Sequence, residues 1–185
     1  MSMYISRNTK KTQQTNRGFT LLETMVAIFI LVLSITGPMV FAQSGLRAAF
    51  LARDQITAFF LAQDAIETIK NLRDENGLNG DAWLTNICTD SPCTVYIDTT
   101  EENPVTASCV GGVCNPLETD AFGRFVYGLN PPNPSRFTRT ITVNETVPNI
   151  EAQLIVEVSW DSNVRVGDAR IVVQENIYNW IPIVN

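Results

Sequence analysis

Histidine is absent from all 185 residues. The commonest general base and metal ligand are therefore missing, and Ser-His-Asp and Cys-His arrangements are excluded. Acids are absent from the first stretch of the chain, where Arg7, Lys10, Lys11 and Arg17 are the only charges before Glu23. Basic residues are scarce everywhere else: four of the 13 precede residue 19, which leaves nine facing all 19 acids, a formal balance of −10. Such a surface does not attract nucleic acid, and no basic stripe offsets it. The acid pair Glu101 and Glu102 could in principle do acid and base work, but Thr99, Thr100, Asn103 and Pro104 around it read as an exposed loop. Asp161, Asn163 and Asp168 lack the spacing and terminal glutamate of a calcium loop and read as turn residues. Asn144, Glu145 and Thr146 match the short N-glycosylation pattern, and no modification is assigned to it. No catalytic residue, metal site or cofactor is expected.

What the chain does have is one long apolar run. From Phe19 to Ala42, 24 residues, the only polar side chains are Thr20, Glu23, Thr24, Ser34 and Thr36. That exceeds the roughly 20 residues a helix needs to cross a bilayer core. The basic segment before it keeps the N-terminus cytoplasmic and sends the rest across. A cleaved secretory signal has a shorter apolar core, of about 7 to 15 residues, placed before its cleavage site. A plain signal anchor fits the hydropathy but leaves the residues around Glu23 unexplained. A carboxylate in a membrane-length helix costs up to roughly 2.5 to 3.5 kcal/mol and marks a functional site by default.

The residues around that carboxylate read Arg17, Gly18, Phe19, Thr20, Leu21, Leu22, Glu23. A glycine followed by Phe-Thr-Leu-Leu-Glu, with a basic polar leader before and an apolar stretch after, resembles the N-terminal signature of type IV pilins and pseudopilins. The resemblance implies that a prepilin peptidase cuts after Gly18 and methylates the new amino terminus at Phe19. It implies that Glu23 meets the amine of an adjacent subunit and sets axial register in a filament. It also implies partners: other pilin subunits, and a platform protein through which an assembly ATPase extracts them from the inner membrane into an extracellular pilus.

Beyond the apolar run the helical pattern continues. Leu46, Phe50, Ile56, Phe59, Phe60, Ala62, Ile66, Ile69 and Leu72 suggest an apolar side, and Arg53, Asp54, Gln63, Asp64, Glu67, Lys70 and Asp74 a polar one. One helix from Phe19 to about Arg73 would measure about 80 Å, with Asn76 and Gly77 as its stop. Gly37 and Pro38 predict a kink or a locally unwound turn near residues 34 to 38. In the pilin family the helix loosens at such a proline when subunits pack, so the resemblance makes Pro38 a point of compliance. The layout is a leader at 1–18, a membrane half of the helix at 19–42, an amphipathic half at 43–75 and a β-rich head at 76–185.

Within the head, residues 76 to 120 read as loop-rich, with one short strand from Thr94 to Asp98. Longer strands are predicted at Arg124–Leu129, Phe137–Asn144, Ala152–Trp160 and Asp168 to about Tyr178, with a turn from Asp161 through Gly167 joining the last two. The fold class is α+β: one long N-terminal helix packed on an antiparallel meander. The strings Phe137 to Val143 and Val156 to Trp160, then Arg170 and its strand, resemble the C-terminal region of PilV-type minor pilins and related minor pseudopilins. Cys88, Cys93, Cys109 and Cys114 form two pairs with four intervening residues each. Zinc favours two-residue spacings, whereas an exported head meets oxidising conditions, so disulfides are expected. Three pairings are open; the local ones, Cys88 with Cys93 and Cys109 with Cys114, are preferred because the segments between them suit tight turns. The expected function is that of a structural subunit, with two rivals: a pseudopilin of type II secretion, and a membrane-anchored binding protein that never polymerises.

Overall fold

The computed structural model describes residues 18–97, 104–126, 133–161 and 169–180. The leader 1–17, the predicted strand end at Asp98, the pair Glu101 and Glu102, the predicted strand residues 127–129, and the turn and strand residues 162–168, with Asn163 and Asp168, lie outside these. The order is one helix, α1 (Leu21–Asn79), followed by seven strands: β1 (Cys93–Ile97), β2 (Pro104–Ser108), β3 (Pro116–Thr119), β4 (Phe125–Val126), β5 (Pro134–Val147), β6 (Glu151–Trp160) and β7 (Ala169–Tyr178). This is the pilin-like α+β architecture expected from the sequence. The chain forms two compact units, Met1–Leu46 and Arg47–Asn185.

In the first unit every described residue is exposed, and α1 there is long and apolar enough to cross a membrane. The helix runs unbroken through Gly37 and Pro38, so the unwound turn that proline could produce is absent from the single chain. The hydroxyls of this segment are satisfied locally. Thr24, Ser34, Thr36 and Ser44 donate to the carbonyls of Leu21, Leu31, Val32 and Phe41 at 2.8 to 2.9 Å. A hydroxyl bonded back to its own helix does not leave a bare polar group in hydrocarbon.

In the second unit, α1 packs its other half on the sheet, and the apolar side differs from the predicted one. Ala58, Leu61, Ala62, Ala65, Ile66, Ile69 and Leu72 are buried, while Phe50, Ile56, Phe59 and Phe60 are exposed. The buried row carries three alanines, Ala58, Ala62 and Ala65, small side chains that suit a helix packed on a sheet. The bulky residues are turned away. Facing the helix, β5 to β7 alternate strictly: Ile141 and Val143, then Ala152, Leu154, Val156, Val158 and Trp160, then Ala169 and Ile177 are buried. Each large side chain buried here contributes about 1.5 to 3 kcal/mol. Phe137 anchors one end, edge-on to Phe125 at 5.6 Å and tilted against Trp160 at 6.0 Å.

The helix stops later than predicted. Gly77 is helical, and the terminating glycine is Gly80, at φ +79°. Gly80 N–H bonds Gly77 O at 3.3 Å and Asp81 N–H bonds Asn76 O at 2.9 Å, the paired closure that a left-handed glycine permits. Asn76 is buried inside the last turn rather than breaking it. Its amide donates to Trp83 O and Thr85 O, stitching the following segment onto the helix.

The sheet is not a simple meander. β5, β6 and β7 follow one another antiparallel, from Phe137↔Trp160 to Glu145↔Ala152 and from Glu151↔Tyr178 to Trp160↔Ala169. The opposite edge of β5 is shared: β3 pairs through Pro116↔Thr138 and Glu118↔Pro134, and β1 through Cys93↔Ile141. β2 lies outside β1 and β4 outside β3. The strands at β2 and β3 were not expected from the sequence. Each begins with proline, as β5 does, the position where a missing N–H does least harm.

Two arginines on β5 tie the strand to the helix. Arg136 pairs with the buried Asp54. Arg139 is itself buried and reaches Leu61 O at 3.1 Å, Val95 O at 2.6 Å and Asp64 Oδ2 at 2.7 Å, joining α1, β1 and β5. Burial pulls its pKa below the usual arginine value, and the hydrogen bond to Asp64 opposes that shift. Because Asp64 is largely exposed, the two carbonyls carry more of the tie than the carboxylate does. Arg139→Met is therefore expected to cost about 2 to 4 kcal/mol and Asp64→Asn about 1 kcal/mol or less. Urea denaturation of the detergent-solubilised chain checks this, and equal losses would contradict it.

Candidate processing and assembly site

The site is built at the start of α1. Thr20 is the residue just before the first helical turn, and its Oγ1 accepts the Glu23 backbone N–H at 3.3 Å. Thr24 N–H reaches Thr20 O at 3.2 Å and closes the turn. Thr20 is thus the N-cap, with glutamate three residues on as in a capping box, although only the threonine half of the box is formed. This local reason for the helix to begin at Leu21, two residues past Phe19, was not drawn from the sequence, although the threonine and glutamate spacing signals it.

Gly18 lies outside the helix and is exposed, just before the cap. A Cβ added to it would meet nothing within 4 Å. Phe19 is 81% exposed. The bond after Gly18 is thus in an open, non-helical segment immediately before a capped helix, the conformation an endopeptidase needs in order to bind an extended backbone.

Glu23 is exposed, and its carboxylate bonds to no described residue. Every neighbouring hydroxyl is satisfied within the helix, so among the described residues of the apolar run this carboxylate is the polar group left over. An acid in the first turn gains about 0.3 to 1 kcal/mol from the helix dipole. That is less than the cost of burying it unpaired in lipid.

The four cysteines lie elsewhere, in the second unit. Cys88 is joined to Cys93 and Cys109 to Cys114, with Cα atoms 6.2 and 4.5 Å apart. No thiolate remains for zinc. The first disulfide leads into β1. The second closes a turn in which Gly111 and Gly112 take φ +62° and +79° and Val113 N–H returns to Val110 O, a geometry open to glycine pairs. The two meet, since Cys114 Sγ lies 3.5 Å from Cys93 O. Each short closed loop contributes about 2 kcal/mol in the chain-entropy model. The purified chain is expected to show no free thiol until reduced. Peptide mapping without reductant should return the two local pairs, and a peptide joining Cys93 to Cys109 would overturn them.

Residues 14–37 match the family model described as the prokaryotic N-terminal methylation motif. No curated protein and no solved structure matches the chain. An apolar helix behind this motif is the arrangement of a chain anchored in the inner membrane with an extracytoplasmic head. The chain carries a type IV pilin-like N-terminus, with the methylation motif that a prepilin peptidase processes.

Proposed function

We propose that the chain is a non-enzymatic minor subunit of a type IV pilus. The carrying observation is the unpartnered Glu23 carboxylate, fifth in the apolar run after Gly18, in a run whose Thr24, Ser34 and Thr36 hydroxyls bond back to their own helix. Cleavage after Gly18 creates a positive amine at Phe19, and methylation preserves that charge. A carboxylate and an amine on neighbouring subunits then complete one another within a filament of packed helices. The strands at Phe137–Val143 and Val156–Trp160, which resemble those of PilV-type minor pilins, support the minor role. The platform protein and assembly ATPase are the remaining partners of this reading.

The test is to place an epitope tag on the chain in its own cell and shear the surface filaments. The cleaved form should appear in the filament fraction at a small fraction of the major subunit, and deletion of the gene should reduce piliation. If the chain stays in the membrane fraction, the anchored binding protein is correct. If deletion blocks protein secretion and leaves pili intact, the pseudopilin is correct.

A further inference from the structure

We propose that Asn79 is a site of spontaneous covalent modification, at which the backbone nitrogen of Gly80 displaces ammonia from the side-chain amide and the residue becomes aspartate or isoaspartate. An asparagine followed by glycine is the pair most open to this reaction, because glycine puts no side chain in the way of its own nitrogen. The pair occurs twice in the chain, at Asn76 with Gly77 and at Asn79 with Gly80, both around the end of α1. The fold treats the two oppositely.

Asn76 is protected. It is 8% exposed, and its Nδ2 donates to Trp83 O at 3.2 Å and to Thr85 O at 2.7 Å. Reaction here has to break both bonds and to free the Gly77 nitrogen, which lies inside the hydrogen-bonded ladder of α1. The helical backbone also holds the side-chain carbon away from the following nitrogen, so the last turn must unwind first.

Asn79 has none of this protection. It is exposed, its amide bonds to no described residue, and it is the last residue of α1, where helices fray. The attacking nitrogen, that of Gly80, lies past the helix and is held by one long hydrogen bond, 3.3 Å to Gly77 O. A Cβ added at Gly80 would meet nothing within 4 Å, so the approach is open. Asn79 also borders a hollow of about 360 Å³ with Glu75, Asp81 and Asn86, which gives water access to it.

The atoms balance without any oxidant or cofactor. The Gly80 nitrogen loses its proton and bonds Asn79 Cγ; the bond from Cγ to the amide nitrogen breaks, and ammonia leaves carrying that proton. Water then opens the cyclic imide. Cleavage between the Gly80 nitrogen and Cγ restores the backbone with an aspartate, and cleavage at the Asn79 carbonyl carbon leaves the chain running through the side chain as isoaspartate. One water is consumed and one ammonia released. Either product sets a carboxylate at the negative end of the helix dipole, beside Glu75 and Asp81, in a last turn that has no basic residue. Isoaspartate also adds a backbone carbon before Gly80, which displaces the paired closure from Gly80 N–H to Gly77 O and from Asp81 N–H to Asn76 O. The modification therefore loosens the stop of α1.

The test incubates the full detergent-solubilised chain in mildly alkaline buffer, beside the same chain denatured in guanidinium. Both are then reduced, alkylated and mapped by mass spectrometry, with fragmentation that separates residue 76 from residue 79. In the folded chain Asn79 should exchange amide for acid at least about tenfold faster than Asn76, since the two hydrogen bonds on Asn76 together correspond to more than a tenfold change in rate. In the denatured chain the two rates should come within a few fold of one another. Asn79→Gln should remove the fast reaction and leave the rate at Asn76 unchanged. The aged parent should also unfold at lower urea concentration than the aged variant. Equal rates at the two asparagines in the folded chain, or the same ratio folded and denatured, overturn the proposal, because the sequence rather than the fold would then set the rates. An Asn79 that stays intact in the folded chain while the denatured one reacts overturns it as well. Modification at Asn79 with no loss of stability overturns the loosening of the helix stop.

Discussion

Gly18→Val should abolish removal of the leader by a coexpressed prepilin peptidase, lowering the cleavage rate by roughly 100-fold or more. The structure isolates the cause. Gly18 stands outside α1, its added side chain would meet no atom within 4 Å, and its φ is not one that demands glycine. The substitution therefore leaves the chain's own fold and the Thr20 cap intact. Any loss must arise in the peptidase, whose cleft would have to accept a branched side chain beside the scissile carbonyl. Mass spectrometry of the membrane fraction measures the outcome: the parent should lose its 18 N-terminal residues, and the variant should keep Met1. A variant trimmed at the parental rate would move the cleavage point elsewhere, and a parent that keeps Met1 beside an active peptidase would remove the basis of the processing assignment.

The parts of this protein that were legible in its sequence are those with a local periodic signal. The apolar run announced the membrane segment, and the alternation of Leu154, Val156, Val158 and Trp160 announced β6 with its buried face. The helix face in the second unit was misread because bulk was taken as the sign of burial. The sheet selected the row containing Ala58, Ala62 and Ala65, and Phe59 and Phe60 stayed outside. Gly77 looked like a stop because glycine before a loop commonly is one, but Asn76 finds its hydrogen bonds with Trp83 and Thr85 and the helix continues to Gly80. β2 and β3 were hidden by the prolines that begin them, and their places were not local information: β1 and β3 share one edge of β5, far apart in sequence. Arg139 did leave a trace. It stands in phase with Phe137, Ile141 and Val143, so a charge on the buried parity of a strand required internal partners. At the N-terminus the motif named the residues, and the spacing of Thr20 and Glu23 also held the cap that explains where the helix begins.

Glu23→Leu should insert in the membrane and be cleaved normally, yet enter filaments at least about tenfold less well. Two roles compete for this carboxylate, and their sizes separate them. As the acid of the first turn it gains about 0.3 to 1 kcal/mol from the helix dipole. As the partner of a neighbouring subunit's amine, its removal leaves a buried charge uncompensated at about 3 to 5 kcal/mol, and 1.4 kcal/mol already corresponds to a tenfold change in an equilibrium constant. Glu23→Gln retains the shape and the hydrogen-bonding groups but not the charge, so it should behave like the leucine variant. Thr20→Val removes the oxygen that accepts the Glu23 N–H and keeps the carboxylate. It should cost the helix start about 1 kcal/mol and leave incorporation within a few fold of the parent. The comparison is made on sheared filaments, normalised to processed chain in the membrane. If glutamine restores incorporation, or threonine loss is as damaging as loss of the acid, then Glu23 serves the end of its own helix and the pairing with an adjacent amine is wrong. If the charge alone decides, the carboxylate that the apolar run leaves without a partner is the one the neighbouring subunit completes.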